Sequence, residues 1–235
     1  MSYVMNMIAE GEHQRQDFKT RVDDARKIAR TFSAFANSDG GRLLIGVKDD
    51  GSIAGVNAEE EYHMLTEAAQ AHCRPAVPFE VQVWKAEFRT VLEVQVPRSA
   101  GRPHFAETAP ASEAGPERWQ AFLRRGDENL KANPVLVKVW QYEMRAERPE
   151  FHYDQHIGKV FRAWRDGKTL HFKHVMRKGR LHPEDAEDLL SLLVVWGIVE
   201  WVPTRRGFVY RLASEAALDR LESHGADSFR WNQAG

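Results

Sequence analysis

The 235-residue chain holds one cysteine, Cys73, so no disulfide can form within it and a reducing compartment is expected. No apolar run reaches the roughly 18 residues of a membrane-spanning helix. The longest candidate, Leu189–Ile198, is short and flanked by charge. Met1–Ala9 is mildly apolar but has no basic residue before Glu10 and Glu12, so no signal peptide is expected and the expected location is cytoplasmic. The phosphate-cradling pattern G-x-x-x-x-G-K-[ST] is absent, which argues against nucleotide hydrolysis. Of the ten histidines, His152/His156 and His171/His174 have ligand-like spacing but no cysteine or third ligand beside them, so no zinc site is expected. No internal repeat is evident.

An excess of one charge is also lacking. Lys and Arg total 33 against 34 Asp and Glu, a net charge of −1, so the chain as a whole is no polycation. The charge is unevenly placed, however. Between Lys159 and Arg180 stand eight basic residues (Lys159, Arg162, Arg165, Lys168, Lys173, Arg177, Lys178, Arg180) and a single acid, Asp166. Such a run can attract phosphates by counterion release on an otherwise neutral protein, or it can be a solvated helical face. With 43% hydrophobic and 29% charged residues the composition is that of a folded globular protein.

Apolar residues at intervals of three and four (Val22, Ala25, Ile28, Ala29, Phe32, Phe35, Ala36) predict an amphipathic helix over Arg21–Ala36. Asn37-Ser38-Asp39-Gly40-Gly41 ends it. Arg42–Lys48 reads as a buried strand, Asp49-Asp50-Gly51 as a hairpin turn, and Ser52–Val56 as the return strand. Asn57 and Glu60 make a capping box for a helix to about His72. Phe79, Val81, Val83 and Leu92, Val94, Val96 alternate with polar residues as two half-buried strands around a turn near Glu87. Ala106–Pro116 reads as an exposed loop, Trp119–Leu123 as a strand, and Pro134 opens a helix carrying Val135, Val139 and Tyr142.

Arg145–Glu150, charged and holding Pro149, marks a break. Beyond it the rhythm changes. Three short helices, around Ile157–Trp164, Phe172–Met176 and Ala186–Val194, precede a hairpin from Val199 to Leu212. That is the plan of a winged helix. The expected organisation is therefore α+β: a mixed-sheet domain over 1–145, a small winged-helix domain over 151–214 and a C-terminal helix or tail over 215–235.

The segment Glu12-His-Gln-Arg-Gln-Asp17-Phe18-Lys19, then Ser33-Ala-Phe-Ala-Asn37-Ser-Asp-Gly40-Gly41-Arg42-Leu-Leu-Ile-Gly-Val47, then Asp50-Gly-Ser-Ile-Ala-Gly-Val56 resembles the Schlafen AlbA-like family. Arg102-Pro103-His104-Phe105 and Phe122-Leu-Arg124-Arg125-Gly126-Asp-Glu-Asn129 resemble its later motifs, so the resemblance covers about residues 8–145. It implies an AlbA-like fold and contact with DNA or RNA. The family's ATP-binding label finds no supporting P-loop. In the family's nuclease members three carboxylates hold a divalent metal, and the corresponding set here is Glu12, Asp17 and Asp49 or Asp50. Mg²⁺ or Mn²⁺ would suit such oxygen ligands. Asp17 stands where the family has glutamate, one bond shorter. The alternative is that these are surface and turn charges.

Arg124, Arg125 and Lys131, with Lys19 and Arg42, are candidate phosphate contacts, arginine because its planar fork matches phosphate oxygens. Asn37 and Gly41 are either a phosphate-facing turn or simply a helix stop. In the tail, Lys173, Arg177, Lys178, Arg205 and Arg206 are candidates, because the third helix opens with Glu184, Asp185, Glu187 and Asp188, which would repel DNA. Three readings remain open: a nucleic-acid-binding regulator without catalysis or cofactor, a metal-dependent endoribonuclease, and an interaction module. Homodimerisation is open; a membrane partner is not expected.

Overall fold

A computed structural model describes residues 3–109, 115, 118–144, 151, 153–204 and 207–229. The chain divides into two compact units, Met1–Ala132 and Asn133–Gly235.

The first unit contains α1 (Tyr3–Ala9), β1 (Gln16–Lys19), α2 (Ala25–Asn37), β2 (Gly41–Ile45), α3 (Ala58–Gln70), β3 (Cys73–Arg74), β4 (Glu80–Ala86), β5 (Arg89–Val96), β6 (Phe105–Glu107), β7 (Trp119–Arg125) and β8 (Glu128–Lys131). Strands β1-β2-β5-β4 form one sheet, with β1 parallel to β2 and the other pairs antiparallel. Strands β3-β6-β7-β8 form an antiparallel second sheet. Both faces of the first sheet are covered, which is why Leu43-Leu44-Ile45 is an unbroken apolar run. Leu43 and Ile45 pack with Ile28, Phe32 and Phe35 of α2, whereas Leu44 packs with Val4, Met7 and Ile8 of α1. Helix α2 also buries residues against the second sheet through Ala106 and Phe122, so it is the central element of the unit.

The stop of α2 needs its glycines. Gly40 has φ +70°, and its amide bonds back to the Phe35 carbonyl at 3.0 Å. A Cβ there would lie 2.8 Å from the Arg98 nitrogen, and one on Gly41 would lie 2.6 Å from the Phe35 ring.

The second unit contains α4 (Pro134–Met144), α5 (Gln155–Arg165), β9 (Leu170–His171), α6 (Phe172–Gly179), α7 (Pro183–Val195), β10 (Val199–Thr204), β11 (Gly207–Leu212), α8 (Glu215–His224) and a short 3₁₀ turn at Ala226–Ser228. Its sheet runs β10-β11-β9, all antiparallel. Trp164 and Tyr210 fill the core with Phe161, Leu190 and Leu193, and the Trp164 indole donates to the Tyr210 carbonyl at 3.1 Å.

Three expectations change. The helix opened by Pro134 was expected with the first domain, ending at 145. Its packing places it in the second unit, where Val135 and Tyr142 join the Trp164–Tyr210 core and the Ser191 hydroxyl donates to the Val135 carbonyl at 3.0 Å. The charged break over 145–150 lies outside the described residues. The return strand expected over Ser52–Val56 shrinks to one bridge, Val47 with Ile53. Its backbone donors go elsewhere: Ala54 and Gly55 to the Gly46 carbonyl, and Val56 to Thr90. The loop expected from Ala106 begins instead as β6, since Ala106 is registered with both Cys73 and Gln120.

Candidate nucleic-acid interface

The first unit draws several candidate residues into its own framework. Arg124 on β7 was expected to hold a phosphate, but its side chain is 1% exposed. Its Nη2 donates to Asp17 Oδ1 at 3.0 Å and to the Gln16 carbonyl at 3.2 Å, and its Nη1 donates to Asn129 Oδ1 at 3.0 Å. The guanidinium lies 5.2 Å from the Phe35 ring centre. The planar fork is used, but on protein acceptors: it ties β7 and β8 to β1.

Asn37 is equally occupied. Its amide donates to the His104 and Phe122 carbonyls, each at 2.9 Å, and its oxygen accepts from the His104 amide at 2.7 Å. It clamps the end of α2 to β6 and β7, and no donor is left for a ligand. Gly41 is a close-packing position under the Phe35 ring. Arg42 donates to Glu10 at 2.6 Å. Lys19, about a third exposed, sits 2.6 Å from Asp17 Oδ2. Arg125 and Lys131 are exposed at the ends of β7 and β8.

The carboxylate set is not assembled. Glu12 and Asp17 do come together: burial first, and then the charge of Asp17, hold the Glu12 carboxyl above its ordinary range despite a 2.9 Å bond from the Phe18 amide. Asp17, however, is already neutralised by Arg124 and Lys19. Asp50 accepts from the Ser52 amide at 2.8 Å and its hydroxyl at 2.6 Å, an Asx turn that holds its carboxyl below the usual range, and Asp49 is exposed beside it. Among the described residues no three His, Cys, Asp or Glu side chains group as a metal site. A divalent ion does not fit this arrangement, because Asp17 is matched by Arg124 and Lys19, Glu12 accepts from the Phe18 amide, and Asp50 is spent on its own turn.

The second unit carries the densest run of positive charge, eight mostly exposed cations and one acid over Lys159–Arg180. Helices α5 and α6 pack together, and a shallow groove of about 240 Å³ between them is lined by Lys159, Arg162, Lys168 and Lys178, with Asp166 as its acid. Lys173, Arg177 and Arg180 are exposed on α6 and just after it. Within the groove Asp166 pairs with Lys168 at 3.0 Å, while Arg162, Lys178 and Lys159, the last of which feels the Asp154 carboxylate, are in no close ion pair among the described residues. Arg165 points away and is held by Glu215, Asp219 and Glu222 of α8. Arg205 and Arg206 lie outside the described residues.

Helix α7 is engaged by α4 in its second turn. Lys138 of α4 pairs with Glu187 at 3.2 Å and Asp188 at 2.7 Å, and the Tyr142 hydroxyl donates to Asp188 at 2.6 Å. These acids raise Lys138 above the ordinary lysine range even though its burial works the other way. Glu187 and Asp188 are therefore the counter-charge for Lys138 of α4, while Glu184 and Asp185 in the first turn of α7 are exposed. Sequence reasoning marked all of these acids as hostile to DNA but did not see the partner of Glu187 and Asp188, which lies some fifty residues upstream. Likewise it selected Lys173, Arg177 and Lys178 for the site and left out Lys159 and Arg162. The signal was present: Lys159 and Arg162, like Lys173 and Arg177, stand one helical turn apart.

A family model described as Schlafen, AlbA_2 matches residues 12–133, over half of the chain. The chain belongs to this family. The matched span ends at the boundary between the two units. No curated protein matches. Among solved structures, the DIP2311 protein of Corynebacterium diphtheriae aligns at 19% identity and a TM-score of 0.42, over 83% of this chain and 34% of its own. The N-terminal domain of a RecG-related protein from Nitrosomonas europaea aligns at 20% identity and a TM-score of 0.39, over 66% of this chain and all of its own. The chain thus spans about a third of the first of these. No described helix is long and apolar enough to cross a membrane.

Proposed function

We propose that this Schlafen, AlbA_2 family protein is a nucleic-acid-binding regulatory protein that grips the phosphate backbone through the α5–α6 face of its second unit and performs no catalysis itself. The observation that carries this reading is the cationic face: Lys159, Arg162, Lys168 and Lys178 line the groove between α5 and α6 against the single acid Asp166, with Lys173, Arg177 and Arg180 exposed nearby. Between Lys159 and Arg180 eight cations stand against one acid in a chain of net charge −1, a local excess that concentrates positive potential there, and counterion release from a polyanion then drives association.

The order helix, strand, helix, helix, hairpin from α5 to β11 supports reading the unit as a winged helix. In that plan the helix after α6 reads bases. Here α7 opens with the exposed acids Glu184 and Asp185 and its second turn is paired with Lys138 of α4, which favours backbone contact elsewhere over base reading by α7. The test is fluorescence anisotropy on DNA and RNA duplexes of several sequences, with and without Mn²⁺, followed over hours for cleavage. Binding without cleavage and with little sequence preference supports the reading. Mn²⁺-dependent cleavage that is lost in Asp17→Asn would replace it with a nuclease.

A further inference from the structure

Among the described residues of the first unit four large apolar side chains are exposed: Tyr3 (52%) and Tyr62 (54%), which pack against the rings of Trp84 and Phe79, and Val83 (53%) and Phe88 (106%), for which no such ring contact exists. Phe88 is the most telling. The β4–β5 hairpin closes on the pair Ala86–Arg89, so Glu87 and Phe88 form a two-residue turn. Both have positive φ, +50° and +60°. Asn-Gly is the sequence that suits such a turn, and a bulky residue there is strained by about 1 kcal/mol or more. Phe88 thus combines backbone strain with complete exposure of an aromatic ring, and neither helps the monomer fold.

Strand β4 is also an edge of its sheet. It has no proline, glycine or bulge to blunt it, its register with β5 is unbroken over Glu80–Ala86, and its charges, Glu80 and Lys85, stand toward its ends, leaving Val81–Trp84 uncharged. In an antiparallel ladder the backbone groups of successive residues point alternately toward and away from the partner strand. Counting back from the bonded closing pair Ala86–Arg89, the residues whose N–H and C=O point outward are Lys85, Val83 and Val81.

From this we infer that the first unit joins a second copy of the chain through β4, antiparallel about a two-fold axis at Val83. Val83 lies at the middle of β4, so this register sets Val83 opposite Val83 of the other copy and Val81 opposite Lys85. All three outward residues then exchange backbone hydrogen bonds. Glu80 falls opposite Ala86 and Gln82 opposite Trp84, so no like charges face each other. The same register carries the hairpin tip past the start of the other copy's strand. Phe88 comes level with Pro78 and Phe79, whose ring stacks against Tyr62 at 6.2 Å. One two-fold operation thus covers Val83 and Phe88 and brings Phe88 near the Phe79–Tyr62 pair, and an isologous interface of this kind closes rather than propagating.

The test uses the full chain in sedimentation equilibrium over a wide concentration range. A monomer–dimer equilibrium is expected. Val83→Lys sets like charges opposite one another at an exposed site and should raise the dimer dissociation constant at least tenfold with an unchanged melting temperature. The double variant Glu87→Asn/Phe88→Gly should weaken the dimer several-fold while raising the melting temperature, a pairing of effects that a purely structural role for Phe88 does not produce. Val83→Cys should form an interchain disulfide on mild oxidation, since facing residues of a bonded pair have Cα atoms about 5.5 Å apart. Cys73 is buried, its thiol pushed up to about 12 by burial, and will not compete. A chain that stays monomeric throughout, or a dimer indifferent to Val83→Lys, would overturn the inference.

Discussion

Arg124 shows how a side chain's neighbours decide its role. A guanidinium on a strand beside a glycine turn has the chemistry to bind phosphate, and nothing in its local sequence says otherwise. Asp17, more than a hundred residues upstream, is what claims it. Removing one partner of a buried ion pair leaves the other charged and desolvated, which costs about 3–5 kcal/mol. Arg124→Ala should therefore lower the urea midpoint by an amount equivalent to about 3 kcal/mol, and Arg124→Lys should recover only part of this, because lysine cannot fork between Asp17 and Asn129. An unchanged midpoint with weakened nucleic-acid binding would return Arg124 to the role its sequence suggests. Glu107 makes a second case. Burial alone would raise its carboxyl, but the Arg118 guanidinium, with an Nε bond of 2.7 Å, and His72 outweigh it, and the net displacement is downward. A carboxyl that is more acidic folded than unfolded contributes stability above its unfolded value near 4.3, and that contribution fades as pH falls through the folded value. Glu107→Gln should thus destabilise the protein at pH 7 and flatten the loss of stability below about pH 5. Parallel pH–stability curves for the two proteins would remove Glu107 from the account.

Elements were legible where periodicity was clean. The run Val22–Ala36 and the alternation in Val81–Val83 and Leu92–Val96 predict α2, β4 and β5, because a helix or strand with one buried face must repeat at its own period. The Val199–Leu212 hairpin and the three helices before it follow from the same logic. What could not be read was partnership. The donors of Ala54 and Gly55 turn to Gly46 instead of forming a strand, and α4 joins the second unit through Lys138, Tyr142 and Ser191 rather than staying with the strands before it. Such choices depend on residues distant in sequence, which no local pattern encodes. The candidate site divides the same way. The basic run is visible as a string of lysines and arginines, whereas the identity of those already matched by acids, such as Arg165 by α8, is visible only in the fold.

For the whole molecule, the clusters on the two faces of the first sheet lie wholly within residues 1–132 and the cluster around Trp164 lies wholly beyond them, which implies two folding units. Each buries its own aromatic set, and the family match ends where the first unit ends. A fragment of residues 1–132 should therefore keep its near- and far-ultraviolet circular dichroism and unfold cooperatively, whereas one ending at 145 would carry α4 stripped of α7 and expose Val135, Val139 and Tyr142. Aggregation of the shorter fragment alongside a well-behaved longer one would contradict this division. The central claim is that nucleic acid is held by phosphate contacts on α5 and α6. It is tested most directly by the salt dependence of binding in the native chain and in Arg162→Glu/Lys173→Glu/Arg177→Glu. Each phosphate contact adds about 0.9 to the slope of log K against log salt on duplex DNA. The account predicts a steep slope for the native chain, a slope shallower by about 2–3 for the triple variant with its melting temperature preserved, and little change between unrelated sequences. An unchanged slope in the folded triple variant, or a shallow native slope with strong sequence preference, would contradict it.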